Sequence, residues 1–436
     1  MHRKWNIIAL VLALLLLSGC SLQTLDALYQ VPKRSDDYND LQSAIDKSLG
    51  SLEYCAPLAG ENLTAVQIAD LDGDSVQEYL LFAKGTEEKP LQILIFRMEE
   101  GEYVLADTIE SHGTAFDLVE YARMDDLPGY EIIVGCQISQ DVARSVSVYS
   151  LREGKAVSLM STNYTKFLTC DLAEDDRSEL MVLRPGESDE ENGLAELYRF
   201  ADGGLARSDL INLSAPSQRL KRIELGKLQD GKAAVYVDMA VGPSAVVTDV
   251  FAVVNDQFVN LVPSDVSTLR EDYIYAEDID GDGVVELPRL IEMRPPVGYP
   301  LPAMQRLICW YGLTAEAEQV DKLFSYHNLQ GGWYLTLDGS LAPYVAVTRQ
   351  GSTYEFYIWN ESFTAAKKIM TVYVLSGSDR KEQAQRDERF AIYQDDTIVY
   401  AAELDQCAGE FGFSKEKIIG CFHLIHQDWK TQEVLK

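Results

Sequence analysis

The chain has 436 residues, 47% hydrophobic and 25% charged, with 38 Lys and Arg against 69 Asp and Glu. A formal charge of −31 repels phosphate backbones and anionic headgroups. No basic stripe of the kind nucleic-acid binding needs is present, so the composition argues for solubility and divalent-cation affinity.

The first elements in chain order are processing signals. His2-Arg3-Lys4 is a short basic region, and Ile7 to Leu17 is an apolar run of 11 residues. Such a run is too short to cross a ~30 Å hydrocarbon core as a helix. Leu17-Ser18-Gly19-Cys20 follows. A small-residue cleavage site that runs at once into cysteine resembles the lipobox of bacterial lipoproteins. The resemblance implies a signal peptide over 1–19, with Cys20 as the first mature residue and the lipid attachment site. The mature chain is then expected to be exported and anchored to the outer face of a membrane rather than inserted. Residues 20–60 read as anchor, tether and a short helix, because Leu41, Ile45 and Leu49 repeat at i, i+4 and i+8.

From about residue 61 to 315 the chain repeats. Each unit reads as an acidic turn, an apolar strand, a second strand ending in an aromatic, a tight turn and a third strand. In the first unit the strands are Tyr79 to Phe82, Ile93 to Phe96 and Tyr103 to Leu105, with the turn at Glu100-Gly101. Later turns fall at Glu153-Gly154, Asp202-Gly203 and Asn255-Asp256. The closing aromatics Phe96, Tyr149, Tyr198, Phe251 and Trp310 are spaced 53, 49, 53 and 59. A strand-rich unit of ~50 residues cannot bury both faces alone, so its copies must stack. The fold class is therefore mainly β, a propeller-like array of about five recognisable units with room for six or seven blades.

Residues 316–436 read as an α+β region, or as closing blades with a docked helix. Leu313 to Phe324 is helix-compatible, Trp359 lies 49 residues after Trp310, and Ile369 to Leu375 and Ile398 to Ala402 read as strands. Ser414 is a candidate N-cap for a terminal helix with Ile418, Phe422, Ile425 and Trp429 on one face.

Two acidic turns are chemically specific. Asp70-Leu-Asp72-Gly-Asp74-Ser-Val76-Gln-Glu78 and Asp278-Ile-Asp280-Gly-Asp282-Gly-Val284-Val-Glu286 place carboxylates at positions 1, 3, 5 and 9 and lie 208 residues apart, four steps of 52. Position 7 offers the carbonyl of Val76 or Val284. An all-oxygen set of this size suits Ca²⁺, which takes 6–8 oxygens at ~2.3–2.6 Å. The loops resemble the calcium loops of FG-GAP (VCBS) repeats in integrin-type β-propellers, which implies structural Ca²⁺ held by these residues. Ser75 stands where that pattern has Gly. In the second unit Arg123 and Leu127 occupy ligand positions, and in the third Ala173 does.

Other chemistry is sparse. Six cysteines follow Cys20, enough for 15 pairings or for buried thiols. His423 and His426 sit at i and i+3 of the expected terminal helix without an evident third ligand. No nucleophile elbow, phosphate loop or His-Glu-x-x-His motif occurs. The leading expectation is a lipid-anchored, calcium-stabilised binding or scaffold module with a protein or glycan ligand. The alternative is a propeller-fold hydrolase or lyase acting on extracellular polysaccharide. An accessory protein of envelope biogenesis is a third reading.

Overall fold

The computed structural model describes residues 36–425 except 87, 139–143, 189, 263–267, 294–305 and 360–364. Cys20, the leader, His426 and Trp429 lie outside the described residues. The chain is mainly β, and six antiparallel sheets follow one another along it. Sheet 1 holds Val66–Ala69, Glu78–Lys84, Leu91–Glu99 and Glu102–Ser111, with Glu53–Tyr54 added. Sheet 2 holds Ala115–Ala122, Glu131–Gln137, Arg144–Arg152 and Lys155–Asn163. Sheet 3 holds Lys166–Cys170, Glu179–Arg184, Leu194–Ala201 and Gly204–Asn212. Sheet 4 holds Leu220–Lys227, Ala233–Val241, Ala245–Val254 and Gln257–Asn260, with Arg270–Glu271 alongside.

Sheet 5 is Leu287–Glu292, Arg306–Leu313, Gln319–Asn328, Trp333–Leu337 and Phe422–Leu424. It runs past residue 315, so the tail supplies three of the five strands of this sheet as well as the whole of sheet 6. Sheet 6 is Val345–Gln350, Thr353–Ile358, Lys367–Ser376, Ile398–Leu404 and Phe390–Gln394.

The periodic features have local causes. The turn pairs Glu100-Gly101, Glu153-Gly154, Asp202-Gly203 and Asn255-Asp256 all have positive φ, between 51° and 90°, as a type I′ hairpin requires. Phe96, Tyr149, Tyr198 and Trp310 each border a β-bulge, and a bulge adds local twist. In sheet 6 one bulge lies at Phe356 and Tyr357, two residues before Trp359, and another between Ala391 and Tyr393.

Successive sheets pack face to face. Leu80, Phe82 and Ile93 of sheet 1 meet Phe116, Val119 and Val134 of sheet 2. Equivalent clusters join sheets 2 and 3, 3 and 4, 4 and 5, and 5 and 6. The other face of sheet 1 is covered by the helix Asp36–Leu49, whose Leu41 and Ile45 bury against Leu81, Leu94 and Phe96. The helix Arg380–Gln383 runs into Ala384, which packs on Leu375, Val399 and Ala401 of sheet 6. Among the described residues no core cluster joins sheet 6 to sheet 1.

Three expectations need correction. Each of the first four sheets has a strand ahead of its apolar one that the sequence does not announce, because it is short, as in Val66–Ala69 and Lys166–Cys170, or mixes charged with apolar residues, as in Ala115–Ala122 and Leu220–Lys227. In Ala115–Ala122 the third residue is Asp117, which is buried and accepts the Tyr164 hydroxyl at 2.5 Å. The span from Leu313 to Phe324 is no helix. The spacing of Val320, Leu323 and Phe324 mimics one, but Gln319–Asn328 pairs along both edges, and tertiary pairing overrides weak local propensity. The terminal helix is capped by Ser414, whose Oγ accepts the Lys417 amide at 3.2 Å, but it ends at Cys421. Phe422–Leu424 instead joins sheet 5, where Phe422 stacks on Trp333 with centroids 5.7 Å apart. His423 is therefore on a strand.

Sheet 4 is tied to the segment that leads into sheet 5 by a buried ion pair. Arg270 Nη2 lies 2.9 Å from Asp238 Oδ1, with both side chains excluded from water. Asp238 also accepts from the Ala276 amide at 3.2 Å and from the Thr248 hydroxyl. Removing one partner strands the other charge, so Asp238→Ala should cost ~3–5 kcal/mol. The check is the urea midpoint. Asp238→Leu combined with Arg270→Met should recover most of that loss.

Candidate metal centres

Four sheets carry a nine-residue acidic loop: 70–78 in sheet 1, 123–131 in sheet 2 and 171–179 in sheet 3, each between the first strand and the next, and 278–286 in sheet 5, which runs straight into its first strand Leu287–Glu292. Positions 4 and 6 are left-handed in three of them. They are Gly73 and Ser75 (φ 74° and 71°), Glu174 and Asp176 (57° and 65°), and Gly281 and Gly283 (79° and 86°). Ser75 thus adopts the glycine-like conformation its position demands. The fold of the turn outlasts its glycines, since sheet 3 builds it from two acidic residues.

The residue at position 9 is always glutamate, and it does the same thing each time. Its carboxylate accepts the position-2 amide: Leu71 to Glu78 at 2.8 Å, Met124 to Glu131 at 2.6 Å, Leu172 to Glu179 at 2.7 Å and Ile279 to Glu286 at 3.2 Å. All four glutamates are buried. The loops also grip one another through position 8. Tyr130 N donates to Asp70 O at 3.0 Å, Ser178 N to Arg123 O at 2.6 Å, and Val285 N to Lys227 O at 3.1 Å. Loop contact is close enough that a Cβ on Gly73 would fall 2.4 Å from Pro128 Cβ, and one on Gly129 would fall 2.5 Å from Leu71 O.

The expected ligands come together as follows. In the first loop Asp70, Asp72 and Glu78 each present an oxygen, all within 4.8 Å of one another. Asp70 is held by the amides of Gly73 (2.8 Å) and Ser75 (3.1 Å), and Asp74 accepts the Val76 amide at 2.7 Å. In the fifth-sheet loop Asp278, Asp280 and Asp282 converge within the same limit. Asp282 accepts the Val284 amide at 2.9 Å, and Glu286 is fully buried with Oε1 lacking any partner. An orphaned buried carboxylate oxygen beside three aspartates fits a hard cation. Where Ca²⁺ binds, Asp70, Asp72, Asp74 and Glu78, or Asp278, Asp280, Asp282 and Glu286, would supply its oxygens, with the Val76 or Val284 carbonyl.

The loops differ in where positive charge comes from, which the sequence pattern does not show. Asp125 of the second loop accepts from Ser150 at 2.9 Å and pairs with Arg152 at 3.2 Å. In the third, Arg177 pairs with Asp175 at 2.7 Å and Arg199 with Glu179 at 3.6 Å. In the fifth-sheet loop Lys322 Nζ lies 2.6 Å from Asp282 Oδ2. That ammonium holds the Asp282 carboxyl below the usual range. Among the described residues no Lys or Arg ion pair reaches Asp70, Asp72, Asp74 or Glu78. The sequence makes the fifth-sheet loop the fuller match, yet it is the first loop whose carboxylates have no basic partner.

His423 stacks on Tyr334 (centroids 4.8 Å apart), which stacks on the buried His327 at 4.5 Å, so this pair of histidines packs a core rather than converging. The six cysteines from Cys55 to Cys421 are free thiols.

No protein-family model matches this chain, and no curated protein matches it. Among solved structures it is similar to the exotype rhamnogalacturonan lyase YesX, at TM-score 0.28 and 13% identity over 73% of this chain. The chain spans 65% of that lyase's length. It is also similar to a putative 6-phosphogluconolactonase from Bacteroides fragilis NCTC 9343 (0.28, 9%, 74% of this chain and 95% of that one). For Sqt1 of Saccharomyces cerevisiae the figures are 0.30, 9%, 78% and 98%. At these scores the likenesses say nothing of substrate or partner.

Burial, then the neighbouring aspartates, push Glu78 up to about 7 and Glu286 up to about 8. A folded-state pKa above the unfolded value contributes stability at low pH that is lost as pH rises through the folded pKa. The calcium-free protein should therefore lose thermal stability between about pH 5 and pH 8. Saturating Ca²⁺, which favours the ionised carboxylates, should flatten that fall. Thermal midpoints measured in EDTA and in Ca²⁺ across this range check it.

Proposed function

We propose that this chain is a lipid-anchored, extracytoplasmic binding or scaffold module whose stacked sheets are stapled by Ca²⁺ in the acidic loops. The observation that carries the calcium reading is the convergence of Asp70, Asp72 and Glu78 at a loop that also hydrogen-bonds the next sheet through Asp70 O. An ion there reinforces an interface between sheets, which is a structural task. Anchoring rests on the Leu17-Ser18-Gly19-Cys20 sequence, with the membrane as partner through lipid on Cys20. A strongly acidic surface suits presentation of a folded module away from anionic headgroups. The ligand is a protein or a glycan.

Calcium at 1 mM on a site of ~10⁻⁴ M stabilises by about 1.4 kcal/mol, a rise in midpoint of roughly 3–6 °C for a mid-sized domain. EDTA should lower the midpoint of the mature protein by this order, and Asp72→Ala should remove most of the difference. A midpoint unmoved by EDTA in protein that binds calcium nowhere ends the calcium reading. For the anchor, intact mass should show a diacylglyceryl-sized addition on Cys20 that Cys20→Ser lacks. A glycan array against a protein pull-down separates the two ligand classes.

A further inference from the structure

Lys322 occupies an unusual place in the backbone. Where Gln319–Asn328 pairs with Arg306–Leu313, Leu323 faces Trp310 and Asp321 faces Tyr311. Lys322 is the extra residue of that bulge, and a bulge re-aims the side chain it carries. The result places its ammonium on Asp282, 40 residues earlier in the chain and the position-5 ligand of the fifth-sheet loop. Only 18% of the Lys322 side chain is exposed. Behind it lies Glu286, fully buried, with Oε2 on the Ile279 amide and Oε1 without a partner. The loop therefore has an unmet acceptor inside and an internal cation at its mouth. Its counterpart in sheet 1 has the same carboxylates and no such cation among the described residues.

We propose that Lys322 is the built-in counterion of the fifth-sheet loop, and that a divalent cation enters there only by displacing it. The first loop is then the high-affinity site and fills first. The fifth-sheet loop fills at higher concentration, because each ion bound must break a charge-assisted hydrogen bond and must sit near a positive charge. This makes Lys322 the specificity-determining residue between two loops of nearly equal sequence. It also gives the array a graded response, with sheets 1 and 2 stapled at low calcium and the sheet 4–5 junction, where Val285 N donates to Lys227 O, stapled at high calcium. The inference rests on the calcium reading above and goes beyond it in ordering the sites.

Calcium titration of the mature chain in detergent, by equilibrium dialysis and by calorimetry, tests it. The unaltered protein should show one tighter site, and a second at least tenfold weaker. Asp72→Asn should remove the tighter one. Lys322→Met should raise the affinity of the weaker site at least tenfold, and Lys322→Arg, which keeps the charge, should not. Two sites of equal affinity in the unaltered protein overturn the inference. So does a Lys322→Met titration that matches the unaltered one while the Asp72-dependent site still binds; in that case the calcium reading survives. No binding at any loop in any of these proteins overturns both. Thermal midpoints of the Lys322 variants in EDTA within a few degrees of the unaltered protein show that the fold is intact.

Discussion

One hydrogen bond recurs in four of the six sheets, and the register of the stack hangs on it. A buried glutamate accepts the amide seven residues before it, at Leu71, Met124, Leu172 and Ile279. The peptide group that carries this amide has its carbonyl on the preceding residue. In the first two loops that carbonyl, Asp70 O or Arg123 O, accepts the position-8 amide of the next loop. One peptide plane is thus pinned from within by glutamate and read from without by the neighbouring sheet. Linked bonds of this kind polarise one another, and an unpaired buried carboxylate would be costly. Sheet 4 keeps the plane but changes the clamp. Leu228 N bonds to Lys232 O, and Lys227 O still receives Val285 N. The interface therefore outlives the loss of the acidic loop.

Much of this was legible in the residues. Type I′ turns need two left-handed positions, and Glu-Gly, Asp-Gly and Asn-Asp pairs at a spacing near 50 announced them. The aromatics spaced near 50 marked the second strand of each unit, and four of them, Phe96, Tyr149, Tyr198 and Trp310, border a bulge. The first strand of each of the first four sheets was not legible: Val66–Ala69 and Lys166–Cys170 are short, and Ala115–Ala122 and Leu220–Lys227 mix charged with apolar residues at positions whose neighbours are set only by packing. Asp117 is a buried acid, satisfied by Tyr164, Gln137 and Arg144, three residues 20 or more positions away. Nor could the pattern show Lys322. Its relation to Asp282 runs through a bulge in a strand that local spacing made helical.

The acidic loops are four answers to one electrostatic problem. Carboxylates gathered to shape a turn repel one another, and the repulsion must be met. The second loop drops two acids and takes Arg152. The third drops one and takes Arg177 and Arg199. The fifth-sheet loop keeps all four and takes Lys322, and the first keeps all four with no ion pair among the described residues. A loop that folds with an arginine in place no longer needs an ion, so ligand loss at Arg123, Leu127 and Ala173 and the presence of arginine are two sides of one change. On the calcium reading proposed above, motif completeness and cation affinity part company for this reason. Counting carboxylates ranks the loops by sequence, whereas counting nearby basic groups ranks them by the charge an entering ion would have to displace.

The way the array ends explains why such staples matter. Each sheet buries its faces against its chain neighbours, and the helix Asp36–Leu49 covers the face of sheet 1 turned away from sheet 2. Ala384, just past the helix Arg380–Gln383, covers part of the corresponding face of sheet 6. Stability in a stack of this kind is approximately a sum of intrinsic terms and nearest-neighbour terms. A weak junction is then not shored up by contacts elsewhere. The junction between sheets 1 and 2 has close approach at Gly73 and Gly129, where any side chain would meet Pro128 or the Leu71 carbonyl. An ion held by Asp70, Asp72 and Glu78 would act on that edge directly, since Asp70 is at once a ligand candidate and the carbonyl that accepts the Tyr130 amide of sheet 2's loop. Its effect would be local and would add to the glutamate clamp, a role for the acidic loops in the framework of the molecule.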